Sequence, residues 1–135
     1  ISFSAAISAC EQCDEMAKAK LLYAEALALN FLPRMKNGEI DLHELSAPVA
    51  RVAVAWLLDR LARGETPLPD SGLKIITGKG KHSEGNVAVL KPEMETMLAS
   101  AEFAELGAIE DARNTGLLVV RAESLGAWVA ARSGI

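Results

Sequence analysis

Hydrophobic residues in the first 34 positions recur at the spacing of two short helices. Phe3, Ile7 and Cys10 fall on one face of the first helix, and Asp14 is placed to cap a second helix that ends near Asn30. A hairpin of two helices this short cannot bury its own apolar faces. We therefore expect it to stack against a neighbouring element.

After a polar turn at residues 35–38, strand-like alternation and helical spacing follow one another. Ile40 and Leu42 should face one way, and Asp41 and His43 the other. The order βαβαββα predicts an α/β (α+β) two-layer sandwich with one mixed sheet, in which the first two strands form a parallel βαβ unit. The predicted strands cover residues 39–43, 73–77, 108–112 and 117–120, and the helices residues 46–63, 86–100 and 123–132.

Composition limits the classes of function. The 135 residues suit one ordinary domain or a small domain with an appendage, and 50% hydrophobic residues argue against disorder. The net charge of −4 excludes a general basic face for nucleic acid, so any such contact must be local. No apolar run has membrane-spanning length, which predicts no membrane partner. The chain starts at Ile1 rather than Met, and we expect a fragment or processed form.

Two cysteines, Cys10 and Cys13, form a Cys-Glu-Gln-Cys sequence in the first helix. Neither His43 nor His82 is spaced to complete a zinc site with them, and no strand precedes them as in redox pairs. The sequence therefore predicts thiols that pack in a helix and no metal site.

Residues that carry chemistry concentrate after the first two predicted strands. Asp41 and His43 place a carboxylate beside an imidazole, which could act as general base or acid on a ribose hydroxyl or leaving oxygen. The second group, called the lysine segment below, combines glycines whose N–H groups can approach an anion with two lysines. It consists of Thr77, Gly78, Lys79, Gly80, Lys81, His82 and Ser83.

The carboxyl ends of adjacent parallel strands meet at one edge of a sheet, so both groups could form one phosphodiester site. Other interpretations stay open. Asp41 and His43 could be a structural hydrogen-bonded pair, or Asp41 could hold a divalent cation such as Mg²⁺ or Mn²⁺. The lysine segment could be a tight turn with solvated lysines, and its glycine spacing is not that of a P-loop.

Residues 1–34 resemble one pentatricopeptide repeat over its full length, without a gap. The resemblance implies reading of single-stranded RNA, one base per repeat, with Ser4 and Arg34 at the base-reading positions. Arg34 replaces the small polar or acidic residue usual there, so no base is assigned. We expect this to be the last repeat of an array. The matching residues are 1–10, Ala17, Ala19, Leu22, Tyr23, Glu25 and Phe31, Leu32 and Pro33.

Residues 35–135 resemble the Smr (small MutS-related) domain. The resemblance implies a sandwich similar to the C-terminal domain of bacterial translation initiation factor three, and an endonuclease that cleaves RNA or nicks DNA. The family's Leu-Asp-x-His falls on residues 40–43, which implies Asp41 and His43 as catalytic residues. Its Thr-Gly-x-Gly falls on residues 77–80. Further matches are Leu45, Ser46, residues 75–83 and 89–92, Asn114, Gly116, Leu125, Trp128 and Val129.

The two resemblances together predict an RNA-processing endonuclease directed by upstream repeats, as in organellar proteins of chloroplasts or mitochondria. RNA is the expected partner, with DNA as the second nucleic acid that the family implies. A non-catalytic RNA-binding or protein-interaction module is the alternative. Glu44 favours it, because glycine usually follows the histidine in the family. The net charge of −3 over residues 35–135, from 11 Lys and Arg against 14 Asp and Glu, favours it too.

Overall fold

A computed structural model describes residues 2–78 and 86–133, with the side chains of residues 86–89 outside the description. Within these ranges the chain forms five α-helices, one short 3₁₀ helix and one four-stranded sheet. The predicted order βαβαββα after a helical hairpin is confirmed. The elements are α1 (Phe3–Gln12), α2 (Met16–Ala28), β1 (Glu39–Asp41), α3 (Ala47–Ala62), β2 (Leu73–Ile76), α4 (Asn86–Leu98), β3 (Ile109–Glu110), β4 (Leu117–Val120) and α5 (Ala122–Arg132).

The sheet is mixed, as predicted, with the strand order β1-β2-β4-β3. β1 and β2 pair in parallel, whereas β4 pairs antiparallel with both β2 and β3. One face of the sheet is buried and shares a single apolar core with α3, α4 and α5, which gives an α+β architecture. The strand residues of that core are Ile40, Leu73, Ile75, Leu118 and Val120.

The helical hairpin packs against α3, and the predicted stacking on a neighbour is confirmed. Arg51 of α3 donates two hydrogen bonds to the Glu11 carboxylate, at 2.7 and 2.9 Å. The buried Tyr23 ring lies on Trp56 of α3, with ring centroids 5.5 Å apart. Because α3 begins soon after β1, this packing holds the hairpin beside the end of that strand. Among the helices described, none has the length and apolar character needed to cross a membrane.

The turn between α1 and α2 differs from the prediction. Asp14 does not cap α2; Glu15 is the N-cap residue, and its side chain makes no capping hydrogen bond. Asp14 instead has a φ of 58°, in the left-handed region. A reversal of direction within so few residues requires such a conformation, and Asp is among the residues that tolerate it.

Candidate functional site

Asp41 and His43 form a hydrogen-bonded pair at the end of β1. The alternation predicted for this strand is confirmed, because Ile40 and Leu42 are buried while Asp41 and His43 face solvent. The His43 Nδ1 and Asp41 Oδ1 atoms are 2.6 Å apart, and the His43 backbone N–H donates to the same oxygen at 3.1 Å. Since the carboxylate accepts the Nδ1 proton, Nε2 is the ring nitrogen left to exchange protons with a ligand.

The electrostatics of the pair favour the imidazolium form of His43. The hydrogen bond to Asp41 raises the pKa of His43 above its usual value; partial burial opposes this rise, and the charges of Asp41 and Glu44 add to it. The side chains of His43 and Asp41 are 50% and 49% exposed, so a ligand can reach both. The His43 imidazole can therefore take up a proton while its side chain stays exposed to solvent.

The predicted meeting of the two strand ends is confirmed for β1 and β2. Asp41 is paired in register with Ile76, and the Leu42 N–H donates to the Ile76 carbonyl at 2.8 Å. Thr77, the first residue of the lysine segment, follows Ile76 directly. The Asp41/His43 pair thus lies beside the point where the lysine segment starts.

The first two residues of the lysine segment are bonded within the sheet. Thr77 is fully buried, and both its N–H and its hydroxyl donate to the Gly116 carbonyl, at 2.8 and 3.3 Å. The Gly78 N–H donates to the same oxygen at 3.1 Å. These groups hold β2 to the turn before β4, where the Asn114 side chain accepts from the Gly116 N–H at 2.9 Å. A phosphate would have to compete with Gly116 for both amides.

The remainder of the lysine segment, Lys79, Gly80, Lys81, His82 and Ser83, lies outside the described residues. Phosphate binding by these residues, as by Thr77 and Gly78, stays a prediction. The described part of the segment, Thr77 and Gly78, directly follows Ile76, the strand residue paired with Asp41.

Residues 31–34 belong to the connection between α2 and β1 and form one wall of the candidate site, which sequence reasoning missed. A cavity of about 370 Å³, called the dyad cavity below, lies between this connection and the Asp41/His43 pair. The Tyr23 hydroxyl donates to the Pro33 carbonyl at 2.6 Å and so fixes the connection to the core. The only available signal was the Phe-Leu-Pro run after a helix. The dyad cavity is lined by Phe31, Pro33, Asp41, His43, Glu44 and Leu45.

Two further cavities adjoin the same connection. The sheet cavity, of about 580 Å³, shares Pro33 and Asp41 with the dyad cavity and reaches Lys36 and Ile76. The hairpin cavity, of about 390 Å³, shares Phe31 with the dyad cavity. The hairpin cavity is lined by Ser2, Phe3, Ser4, Phe31 and Leu32.

The two predicted base-reading residues line different cavities. Ser4 is exposed and lines the hairpin cavity. Arg34 lines the sheet cavity, and its guanidinium donates to the Leu27 carbonyl at 2.6 Å and to the Asn30 side chain at 3.3 Å. Arg34 therefore caps the end of α2, and base reading by these two residues stays a prediction.

Metal ligands are sparse in the part of the chain that the structure describes, which contains no group of three or more His, Cys, Asp and Glu side chains able to hold an ion. Asp41 and Glu44 are the carboxylates of the dyad cavity, and Oδ1 of Asp41 already accepts two hydrogen bonds. This set is too small for a hard cation held by side chains alone.

No family model matches the chain, and searches of curated proteins and of solved structures return no match. The interpretation of the site therefore depends on its geometry and on the sequence patterns.

Proposed function

We propose that residues 35–135 form an RNA endonuclease domain of the Smr kind and that residues 1–34 form one pentatricopeptide repeat. The Asp41/His43 pair supports this proposal. Both side chains are half exposed, Nδ1 of His43 and Oδ1 of Asp41 are 2.6 Å apart, and the pair lies at the end of β1, beside the end of the parallel strand β2. The strand order β1-β2-β4-β3 also supports the finer proposal of a fold like the C-terminal domain of bacterial translation initiation factor three.

In the proposed reaction His43 acts as general base. Its Nε2 takes the proton of a ribose 2′-hydroxyl, and that oxygen attacks the adjacent phosphorus. The bond from phosphorus to the 5′ oxygen breaks and leaves a 2′,3′-cyclic phosphate and a 5′-hydroxyl. The leaving oxygen takes its proton from the imidazolium or from water, so charge and atoms balance. Asp41 holds the Nδ1 proton and stabilises the imidazolium as it forms.

The alternative is a non-catalytic RNA-binding or interaction module. Glu44 favours it, because its exposed carboxylate lines the same cavity as His43 and would repel a phosphate. The bonding of the Thr77 and Gly78 amides to Gly116 favours it as well, since fewer donors are left for an anion at this point.

A cleavage and binding assay on single-stranded RNA separates the two functions. We expect the chain to cut RNA with and without EDTA. Asp41→Ala and His43→Ala should each reduce the rate, the latter by roughly 100-fold or more, while RNA affinity is retained. Asp70→Ala, in an exposed loop, is the matched control.

Unchanged cleavage in both variants would contradict the catalytic assignment. If the unaltered chain binds RNA without cutting it, and Lys79→Ala with Lys81→Ala weakens binding, the binding module is the correct function. Cleavage that EDTA abolishes would instead support a cation at Asp41.

A further inference from the structure

Phe31 is an aromatic residue that lines the dyad cavity. It lies just after α2 and is 67% exposed. Its ring contacts that of Phe3, with centroids 5.9 Å apart and planes tilted by 43°. The contact with Phe3 limits the motion of the ring, yet most of its surface stays open to solvent. A ring that is both held and exposed is suited to stack against a flat ligand.

Phe31 also joins two cavities of different character. On one side it lines the dyad cavity, together with Asp41 and His43. On the other side it lines the hairpin cavity, where Phe3 and Leu32 supply apolar walls. Ser2 and Ser4 line the hairpin cavity as well, and none of its five lining residues is charged. Apolar walls with a few hydroxyls match a nucleobase better than a phosphate, which needs cationic or N–H donors.

We propose that Phe31 stacks the unpaired base adjacent to the phosphodiester bond on which His43 acts. The inference rests on the proposed function and narrows its substrate to RNA that is single-stranded at the bond cut. In a duplex both faces of a base are covered by its neighbours, so no face is left for Phe31. The stacked base then fixes where the adjoining ribose and phosphate lie relative to Nε2 of His43.

Steady-state cleavage of one RNA, alone and annealed to its complement, tests the proposal. The unaltered chain should prefer the single strand. Phe31→Ala should lower kcat/KM on the single strand by about 5- to 150-fold, the range that corresponds to loss of one base–aromatic stack, mainly through KM. Phe31→Tyr should stay within about twofold of the unaltered chain, because it keeps the ring. Phe31→Leu keeps apolar bulk without a ring and should behave like Phe31→Ala.

Leu21→Ala is the matched control. Leu21 is 70% exposed, on α2, and lines neither the dyad cavity nor the hairpin cavity, so cleavage should not change. A direct readout is the fluorescence of 2-aminopurine placed next to the bond cut, with a 2′-deoxy sugar there to prevent cleavage. Its quenching on binding should be lost in Phe31→Ala and retained in His43→Ala.

The outcomes separate this inference from the proposed function. If the unaltered chain cleaves RNA and Phe31→Ala cleaves it equally well, the stacking role is overturned and the endonuclease stands. Equal cleavage of single strand and duplex also overturns the stacking role. If the unaltered chain neither binds nor cleaves RNA, the proposed function fails and the inference fails with it.

Discussion

The ends of β1 and β2 lie side by side, yet the polar side chains at the end of β1 are half exposed and that of Thr77 at the end of β2 is buried. At the end of β1, Asp41 and His43 are half exposed and bonded to each other, which leaves Nε2 of the imidazole for a ligand. At the end of β2, Thr77 is fully buried and, with Gly78, bonded to the Gly116 carbonyl. The difference arises from neighbours: β2 is a central strand with partners on both sides, whereas β1 is an edge strand. Residue type alone therefore does not indicate which polar groups are available.

The largest expected effect comes from the β1 end. His43→Gln should reduce the rate of RNA cleavage by about 10²- to 10⁴-fold, because it removes the proposed general base. Adding Asp41→Asn to this variant should change the rate by no more than about threefold, since Asp41 acts through the imidazole. Single-turnover kinetics of both single variants and the double variant measure the coupling.

The free energy of unfolding of the two single variants and of the double variant is the control: it should change little. Both side chains are half exposed, and an exposed ion pair contributes about 1 kcal/mol or less. Additive losses, in which the double variant is slower by the product of the two single effects, would show that Asp41 and His43 act independently.

The β2 end should show the opposite response. Thr77→Val removes a buried hydroxyl that donates to Gly116, and we expect it to lower the free energy of unfolding by about 0.5–1.5 kcal/mol. The cleavage rate should stay within a few-fold. Urea unfolding measures the change, with the exposed Thr96→Val on α4 as the matched control. A Thr77→Val chain that is as stable as the original but unable to cleave RNA would reverse the comparison.

The smallest expected effect concerns Glu44. Glu44→Gln keeps the size of the side chain and removes a negative charge that lines the dyad cavity. We expect kcat/KM to rise by roughly two- to fivefold at low ionic strength and the gain to fade in high salt. Glu25→Gln, on the exposed surface of α2, is the control. A gain that persists in high salt would point to a steric effect of Glu44 in place of an electrostatic one.

The sequence predicted the helices and strands better than it predicted the contacts between residues far apart in the chain. Alternation at residues 39–43 identified which side chains of β1 face solvent, because that pattern depends only on the period of a strand. The burial of Thr77 was not predictable. It depends on the contact with Gly116, which is 39 positions away, and the local pattern does not show that β2 pairs with β4. The wall formed by residues 31–34 was missed for the same reason: it follows from the packing of the hairpin on α3.

The dependence of cleavage rate on pH tests the central claim, that Asp41 tunes His43 as a general base, most directly. The base must be neutral to act, so the rate should rise with pH until His43 loses its proton. The bond to Asp41 raises the pKa of His43, and Asp41→Asn removes that effect. We predict that the pH range over which the cleavage rate rises moves to lower pH in Asp41→Asn and does not move in Thr77→Val. If the cleavage rate of Asp41→Asn rises over the same pH range as that of the unaltered chain, the account is contradicted.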